Sequence, residues 1–488
     1  MNVVGPILHF GKTRRHATAL IDATREITYG ELADLIRQTA DHLAALGLRR
    51  GDRIGLCLHD TCDHVVALLG AAYLGGVAVT LDWRAKPAEN ARFIDSLKLA
   101  CVLVEPAAGP VAGCTAFPLD DDWRAAVARS DSDPAVEWPS DWHDPFAISA
   151  TSGSTGLPKF TLMTHTQYYF AIAGMFELMA LSGQHRFLCT MPLYYSGGRN
   201  SCIAHLLRGD TVVLHSSLFS ADEYVELVAR QHITVAGIVP SMVRQLLAAH
   251  GPEPLLPGLA KLFSTGAPLH AEEKREVARR LTPHFHERYG TAETLAISIL
   301  RPSDFAERAD SVGQPHSLAE IAIVDDDDRP LPAGAVGRLR YRGPGLGSPL
   351  PGQPMEANFR GGCYYPGEIA RIDEAGYIFL QGRTSDVIMR NGAKVYPAEI
   401  EATLIAHPAV AEAAVLGVTG ADADETVVAF VVAAAGFPTG ELVAHCRARL
   451  TPHKVPREIH VVAQLPKNTA GKTDKLALAK TLSDTTVS

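Results

Sequence analysis

Between residues 28 and 80 the apolar residues switch from helical spacing to a short run, back to helical spacing, and to a second short run. That alternation restricts the fold more than any other feature, because strands separated by helices are joined by crossovers and build a mostly parallel sheet. Thr28-Tyr-Gly-Glu31 reads as a capping box. Behind it Leu32, Leu35, Ile36, Ala40 and Leu43 share one helical face, and Gly47 ends the helix. Arg53–Leu58 reads as a strand, about 61–75 as a helix, and Val77–Thr80 as a strand.

The pattern resumes with a strand at Ala147–Ala150, a helix over about 165–180, and strands near 187–190, 211–214, 235–239 and 261–264. From Ser311 to Gly382 short strands between Gly- and Pro-rich turns predict an antiparallel or barrel-like subdomain. A compact last unit follows, with helices at 397–406 and 439–450 and strands near 411–418, 426–434 and 458–464. The expected organisation is an α/β N-terminal domain over 1–382, a hinge at 383–386 and a small α+β domain over 387–488.

Composition removes several classes. A net charge of −9 over 488 residues, without a basic patch, argues against nucleic acid as a partner. The eight cysteines form no C-x-x-C and no zinc spacing, so reduced thiols in a cytosolic enzyme are expected. Met1–His16 lacks the pattern of a signal peptide. The apolar run Val65–Val79 falls short of the roughly 18 residues of a spanning helix. A soluble cytoplasmic protein is the expectation. Asp325–Asp328 reads as a solvated turn, not a metal site. Gly343-Pro-Gly-Leu-Gly347 lacks the third glycine and following helix of a dinucleotide loop.

The segment Thr151-Ser-Gly-Ser-Thr-Gly-Leu-Pro-Lys159 follows the strand at 147–150 and carries four hydroxyls, two glycines and a lysine. Glycines permit close backbone approach to a polyphosphate, N–H and hydroxyl groups donate to its oxygens, and Lys159 adds a charge. Its spacing is not that of a Walker loop. From the residues alone, a phosphate loop and an ordinary turn both remain open.

The segment resembles the phosphate-loop motif of the adenylate-forming superfamily: acyl-CoA synthetases, peptide-synthetase adenylation domains and beetle luciferases. Further segments resemble that family in its own order. Ser264-Thr-Gly-Ala-Pro268 and Tyr289-Gly-Thr-Ala-Glu293 resemble its adenine-side segments, and Gly367-Glu-Ile-Ala-Arg371 its ribose motif. Gly382-Arg-Thr-Ser-Asp386 through Gly392 to Glu401 resembles its hinge and mobile domain, and Pro466-Lys-Asn-Thr-Ala-Gly-Lys472 its catalytic-lysine loop. The chain is most similar to a stand-alone acyl-CoA synthetase. The resemblance implies ATP, Mg²⁺ and CoA as cofactors or substrates. It assigns Thr151, Ser152, Gly153, Ser154, Thr155, Gly156 and Lys159 to the phosphates, and Gly266, Ala267, Pro268, Tyr289, Gly290 and Thr291 to the nucleotide base and α-phosphate side. Glu293 with Thr155 would hold Mg²⁺, Glu368 and Arg383 the ribose side, and Lys472 the carboxylate and α-phosphate. Ser385 is the hinge position, and Gly392 with Lys394 the face for the thioester step.

Four positions depart from the family pattern. Phe160 stands for glycine, Ala292 for a threonine, Glu368 for aspartate, and Ser385 for Asp or Lys. Thr291 and Thr294 are candidates to replace the missing hydroxyl.

The resemblance places the acyl pocket around Tyr194, Tyr195, Ser196, Gly198 and Arg199, with Ser241, Ala267 and Ile297 as further walls. No carboxylate in Pro192–Arg199 would hold an α-ammonium, so an aromatic or short acyl acid is expected. Arg199 reads as a partner for a second substrate carboxylate or as a packing arginine, and the cost of burying an unpaired charge favours packing. Only sixteen residues follow Lys472, so an external acceptor is expected: CoA first, a separate carrier protein second, an amine or hydroxyl third. A monomer or homodimer is expected. A catalytically idle nucleotide- or acyl-binding regulator is the reading of a different class.

Overall fold

The computed structural model describes residues 2–108, 111, 113–131, 141–152, 158–215, 219–352, 354–390, 393–419, 425–434, 436–467 and 473–485. They form two compact units: residues 1–320 with 342–364, and residues 321–341 with 365–488.

The first unit holds two large sheets. One runs, among the described residues, in the order Ser348–Pro349, Pro158–Thr164, Pro145–Ser152, Val77–Thr80, Arg53–Cys57, Cys101–Val104, Thr115–Pro118. Its strands from 145–152 to 115–118 are parallel, as the alternation predicts. The second sheet is centred on the parallel strands Lys261–Ser264, Val235–Ile238, Arg186–Cys189 and Thr211–Leu214. The capping box forms: Thr28 accepts the Glu31 N–H, and Glu31 accepts the Thr28 N–H at 2.8 Å. The core between the elements is aliphatic, with Ile36, Leu43, Leu56, Leu69 and Leu103 all buried.

The expected nine-residue loop is shorter than its sequence suggests. The strand that precedes it runs on to Ser152, and a return strand, Pro158–Thr164, pairs with it antiparallel. Thr151 lies opposite Lys159, Ala150 opposite Phe160, and Ser149 opposite Thr161. The helix His165–Met179 starts only after this hairpin. Proline is tolerated at the first residue of such a strand, where its missing N–H costs no ladder bond. Residues Gly153–Leu157, and with them the expected roles of Gly153, Ser154, Thr155 and Gly156, lie outside the described residues.

Strand alternation sends opposite faces of the hairpin to opposite destinations. Ile148, Phe160 and Leu162 pack with Val79, Ile94 and Leu97. Phe160 is fully buried and meets Phe93 edge-on, with ring centroids 5.6 Å apart. The family's glycine is therefore replaced by a core residue on the face turned away from Lys159.

The second unit contains the antiparallel strands Glu368–Ile372 and Ile378–Arg383, with Gly337–Arg342 beside the former. It also contains a sheet of Glu412–Thr419, Glu425–Val432 and Glu458–Val462, packed by the helices Pro397–Ile405 and Thr439–Arg447. The acidic run is a turn held by basic side chains: Asp325 accepts the Arg329 N–H at 2.9 Å, Asp326 pairs with Lys394 at 2.8 Å, and Asp328 with Arg338 at 2.8 Å. Among the described residues no helix is long and apolar enough to cross a membrane.

Phe160→Ala removes a buried ring from a closed core. It is expected to cost about 3–5 kcal/mol, read as a lower midpoint in urea unfolding.

Candidate functional site

The other face of the hairpin carries polar side chains inward. Thr161 is fully buried, and its hydroxyl donates to Glu293 Oε1 at 3.3 Å. Glu293 is only 5% exposed. Its side chain also hydrogen-bonds Tyr364, whose phenol is pushed well up by burial first and by the neighbouring carboxylate second. The Glu293 carbonyl accepts the Gly347 N–H at 2.7 Å. Among the described residues no lysine or arginine pairs with Glu293, and its side-chain partners are the hydroxyls of Thr161 and Tyr364. Thr161, Gly347 and Tyr364 escaped the motif reading. Thr161 alone had a signal, the period-2 alternation of Lys159-Phe-Thr-Leu162.

The neighbouring segment is a tight turn. The Thr291 hydroxyl accepts the Glu293 N–H at 3.3 Å, and Thr294 accepts the Thr291 N–H at 3.2 Å. Thr294 is fully buried and serves this turn, whereas Thr291 is half-buried. Ala292 is buried beside them. Gly290 is dictated by close approach: a Cβ there would meet the Leu295 carbonyl oxygen at 2.3 Å. Tyr289 ends the strand Phe285–Tyr289, and its carbonyl accepts the Ile297 N–H at 2.8 Å. Ile297 is fully buried, so it packs in the core. Gly266 and Ala267 are half-buried and Pro268 exposed, just past the strand Lys261–Ser264. Ser241 is exposed in the first turn of Pro240–Ala249.

Tyr195 caps the helix Ser196–Arg208 and is 36% exposed. Its hydroxyl approaches the Gly266 backbone, lying 3.9 Å from where a Cβ would stand. Gly198 packs so tightly that a Cβ would meet the Met191 carbonyl oxygen at 2.2 Å. The Tyr194 ring lies under the Arg84 guanidinium, 5.0 Å from its centroid, and its hydroxyl accepts an Arg84 N–H. The Thr80 hydroxyl donates to the Tyr194 carbonyl at 3.0 Å. Arg199 is 2% exposed and donates to Thr80 Oγ1 at 2.7 Å and to Ser149 Oγ. Burial pushes its guanidinium below its ordinary pKa.

In the second unit Glu368 and Arg383 face one another across paired strands and form an ion pair at 3.5 Å. Ser385 donates to Asp386 at 2.8 Å. Lys394 is engaged by Asp326. Gly392 and Lys472 lie outside the described residues.

The geometry brings together a polar hairpin face, a buried carboxylate bonded to it and two tyrosines, the first of them tied through Thr80 to the same sheet. The chain belongs to the AMP-binding enzyme family, whose model matches residues 9–349 and whose C-terminal domain matches residues 399–472. It is 30% identical over 463 residues to the 2-succinylbenzoate–CoA ligase of Bacillus licheniformis, covering 93% of this chain and 95% of that one. It is 30% identical over 467 residues to a feruloyl-CoA synthase of Amycolatopsis, covering 94% of each. The o-succinylbenzoate CoA synthetase of Bacillus subtilis, solved with its acyl-adenylate intermediate, superposes with a TM-score of 0.86 at 25% identity over 97% of both chains.

One acid beside the segment that carries Tyr194 and Tyr195 gives a pH signature. Asp60 Oδ1 accepts the Leu193 N–H at 2.6 Å, fixing the chain before the two tyrosines. Burial pushes its carboxyl up from 3.8 to about 6, against that hydrogen bond and the nearby Arg84. The folded state thus holds the Asp60 proton more tightly than the unfolded state. The resulting stability is fully present below pH 3.8 and is lost as pH rises through about 6. Asp60→Asn should therefore match the parent near pH 3.5 and exceed it by up to about 3 kcal/mol at pH 8, in urea unfolding. A difference that does not change with pH contradicts the assignment.

Proposed function

We propose that the chain activates a compact aryl or short- to medium-chain carboxylic acid. The reaction is ATP-dependent acid–CoA ligation. A carboxylate oxygen attacks the α-phosphorus, the bond to pyrophosphate breaks, and an acyl-adenylate forms. The CoA thiol then attacks the acyl carbon, and AMP leaves with the bonding pair. The single observation that carries the residue assignments is the Thr161–Glu293 hydrogen bond, which fixes a buried carboxylate against the hairpin that carries Thr151 and Lys159.

The donor set at Glu293 fits Mg²⁺: a hard carboxylate with no cationic partner among the described residues. Mg²⁺ supplies charge neutralisation to the phosphates. Lys159 and the hairpin backbone hold the β- and γ-phosphates, with Thr151 and Ser152. Tyr289 stacks on the adenine beside Gly266 and Ala267. Glu368 accepts the ribose hydroxyls and Arg383 orients it, a role their ion pair supports. Lys472 bridges the carboxylate and the α-phosphate. Ser385 is the hinge residue between 1–382 and 387–488, and Gly392 and Lys394 serve the thioester step.

Two features support an aromatic substrate. Tyr194 and Tyr195 offer flat walls beside small Gly198, and the named relatives act on aryl acids. The free cysteines are consistent with a cytoplasmic enzyme. It works as a monomer or homodimer.

ATP–pyrophosphate exchange with benzoate, cinnamate, 2-succinylbenzoate and straight-chain acids, each with and without CoA, tests this. Aryl acids are expected to support exchange and to yield thioester. Glu293→Gln is expected to slow exchange by about 100-fold or more with the fold intact by circular dichroism. Exchange with none of these acids, or adenylate accumulating despite CoA, overturns the reading.

A further inference from the structure

Arg199 is the largest side chain among those fully buried, yet no carboxylate accepts from it among the described residues. Its Nε has no hydrogen-bond partner there either. The titratable groups that sense its charge are Tyr168 and His64. His64 is kept neutral by burial, with its pKa pulled down to about 4. A guanidinium surrounded by neutral groups is costly to bury, so a purely space-filling role is a poor account of it.

Its two hydrogen bonds reach two different parts of the site. One goes to Thr80 Oγ1, whose own proton is donated to the Tyr194 carbonyl in the acyl pocket. The other goes to Ser149 Oγ, on the hairpin strand two residues before Thr151, about 7 Å along the chain. Ser149 is paired across the hairpin with Thr161, which holds Glu293. One planar cation thus fixes the spacing between the acid pocket and the phosphate hairpin.

We infer that Arg199 is the positioning residue of the adenylation step, a buried bridge that registers the acyl-pocket backbone at Tyr194 against the phosphate hairpin at Ser149 and lends that hairpin its positive charge. In-line attack requires the carboxylate and the α-phosphorus in one geometry, and a shift of about 1 Å can cost on the order of 100-fold. This rests on the adenylation reading above, but its first arm needs no acid.

That arm is titration calorimetry of ATP–Mg²⁺ binding. Arg199→Met, which removes the charge, is expected to weaken ATP binding by about tenfold, whereas Ser149→Ala, which keeps the charge and cuts the bond to the hairpin, is expected to lower kcat. Thr80→Val should leave ATP binding within about twofold of the parent, because that substitution removes both bonds of the Thr80 hydroxyl, from Arg199 and to Tyr194, but keeps the Arg199–Ser149 bond on the nucleotide side. The second arm measures exchange kinetics with benzoate. Arg199→Met should lower kcat by about 100-fold, and Thr80→Val should raise the KM for benzoate. Arg199→Lys should recover ATP affinity but not kcat, since an ammonium restores the charge and not the fork. Thioester formation from presynthesised benzoyl-adenylate and CoA should stay within about twofold of the parent, because it bypasses adenylation.

Unchanged ATP affinity and kcat in Arg199→Met and Ser149→Ala would make Arg199 a packing residue and overturn the inference. A loss confined to 2-succinylbenzoate, with benzoate unaffected, would make it the partner of a second substrate carboxylate and also overturn it. If Arg199→Met does not fold, Ser149→Ala and Thr80→Val decide, the first through kcat and the second through KM. If no acid supports exchange by the parent enzyme, the proposed function fails while the calorimetric arm still reads Arg199.

Discussion

The register of one antiparallel hairpin controls most of what this site can do. With Ser149 opposite Thr161 and Thr151 opposite Lys159, every second residue of Pro158–Thr164 faces the polar side. Shifting the pairing by one residue would carry Phe160 and Leu162 into the site and send Lys159 and Thr161 into the core. The register is held because Phe160 has a closed apolar niche against Phe93, Ile94 and Leu97. A hydrophobic contact on one face therefore determines where the charges stand on the other. The same niche accounts for the departure at Phe160 from the family's glycine.

Buried charge is handled in two ways in the first unit. Lys274 and Glu287 neutralise one another at 2.5 Å, and Glu287 also accepts the Leu269 N–H. Arg288, 5% exposed, donates to Ser201 at 3.3 Å and lies 4.5 Å over the Phe263 ring, and burial pulls it down to about 10. Neither Arg199 nor Arg288 meets a carboxylate among the described residues. Both approach the helix Ser196–Arg208: Arg199 belongs to it, and Arg288 reaches it at Ser201. Two residues span about 200° of a helix, so the two cations lie on nearly opposite sides of its first turns. They add to the positive end of the helix dipole beside Tyr195.

Much of the scaffold was legible because local signals coincide there with the fold. The strands at 77–80, 211–214 and 261–264 fall where apolar runs end at turn residues. The capping box at Thr28 forms as its spacing predicts. The return strand was missed because Pro158 and the hydroxyl-rich run before it carry loop chemistry, which masked a period-2 pattern four residues long. The site divides in the same way. Glu293 and Lys159 stand in motifs. Thr161, Tyr364, Thr80 and Ser149 acquire their roles through partners 132, 119 and 50 residues distant, or across a fold no local window spans. The packing of Ile297 and the use of Thr294 as a turn cap were equally out of reach of motif spacing. They follow from burial that only the assembled sheets create.

The shared hydroxyl at Thr80 bears on how this enzyme would respond to redesign. It accepts from Arg199 and donates to Tyr194 with a single rotor, so its two bonds polarise one another. Trimming residues around Tyr194 to admit a bulkier acid would slacken the acyl end of that chain and release Arg199 toward Ser149. Pocket variants selected for a new acid would then be epistatic with positions on the nucleotide side, and their effects would not add. Libraries that vary Thr80, Ser149 and Tyr194 together would cross barriers that single-site walks meet one step at a time.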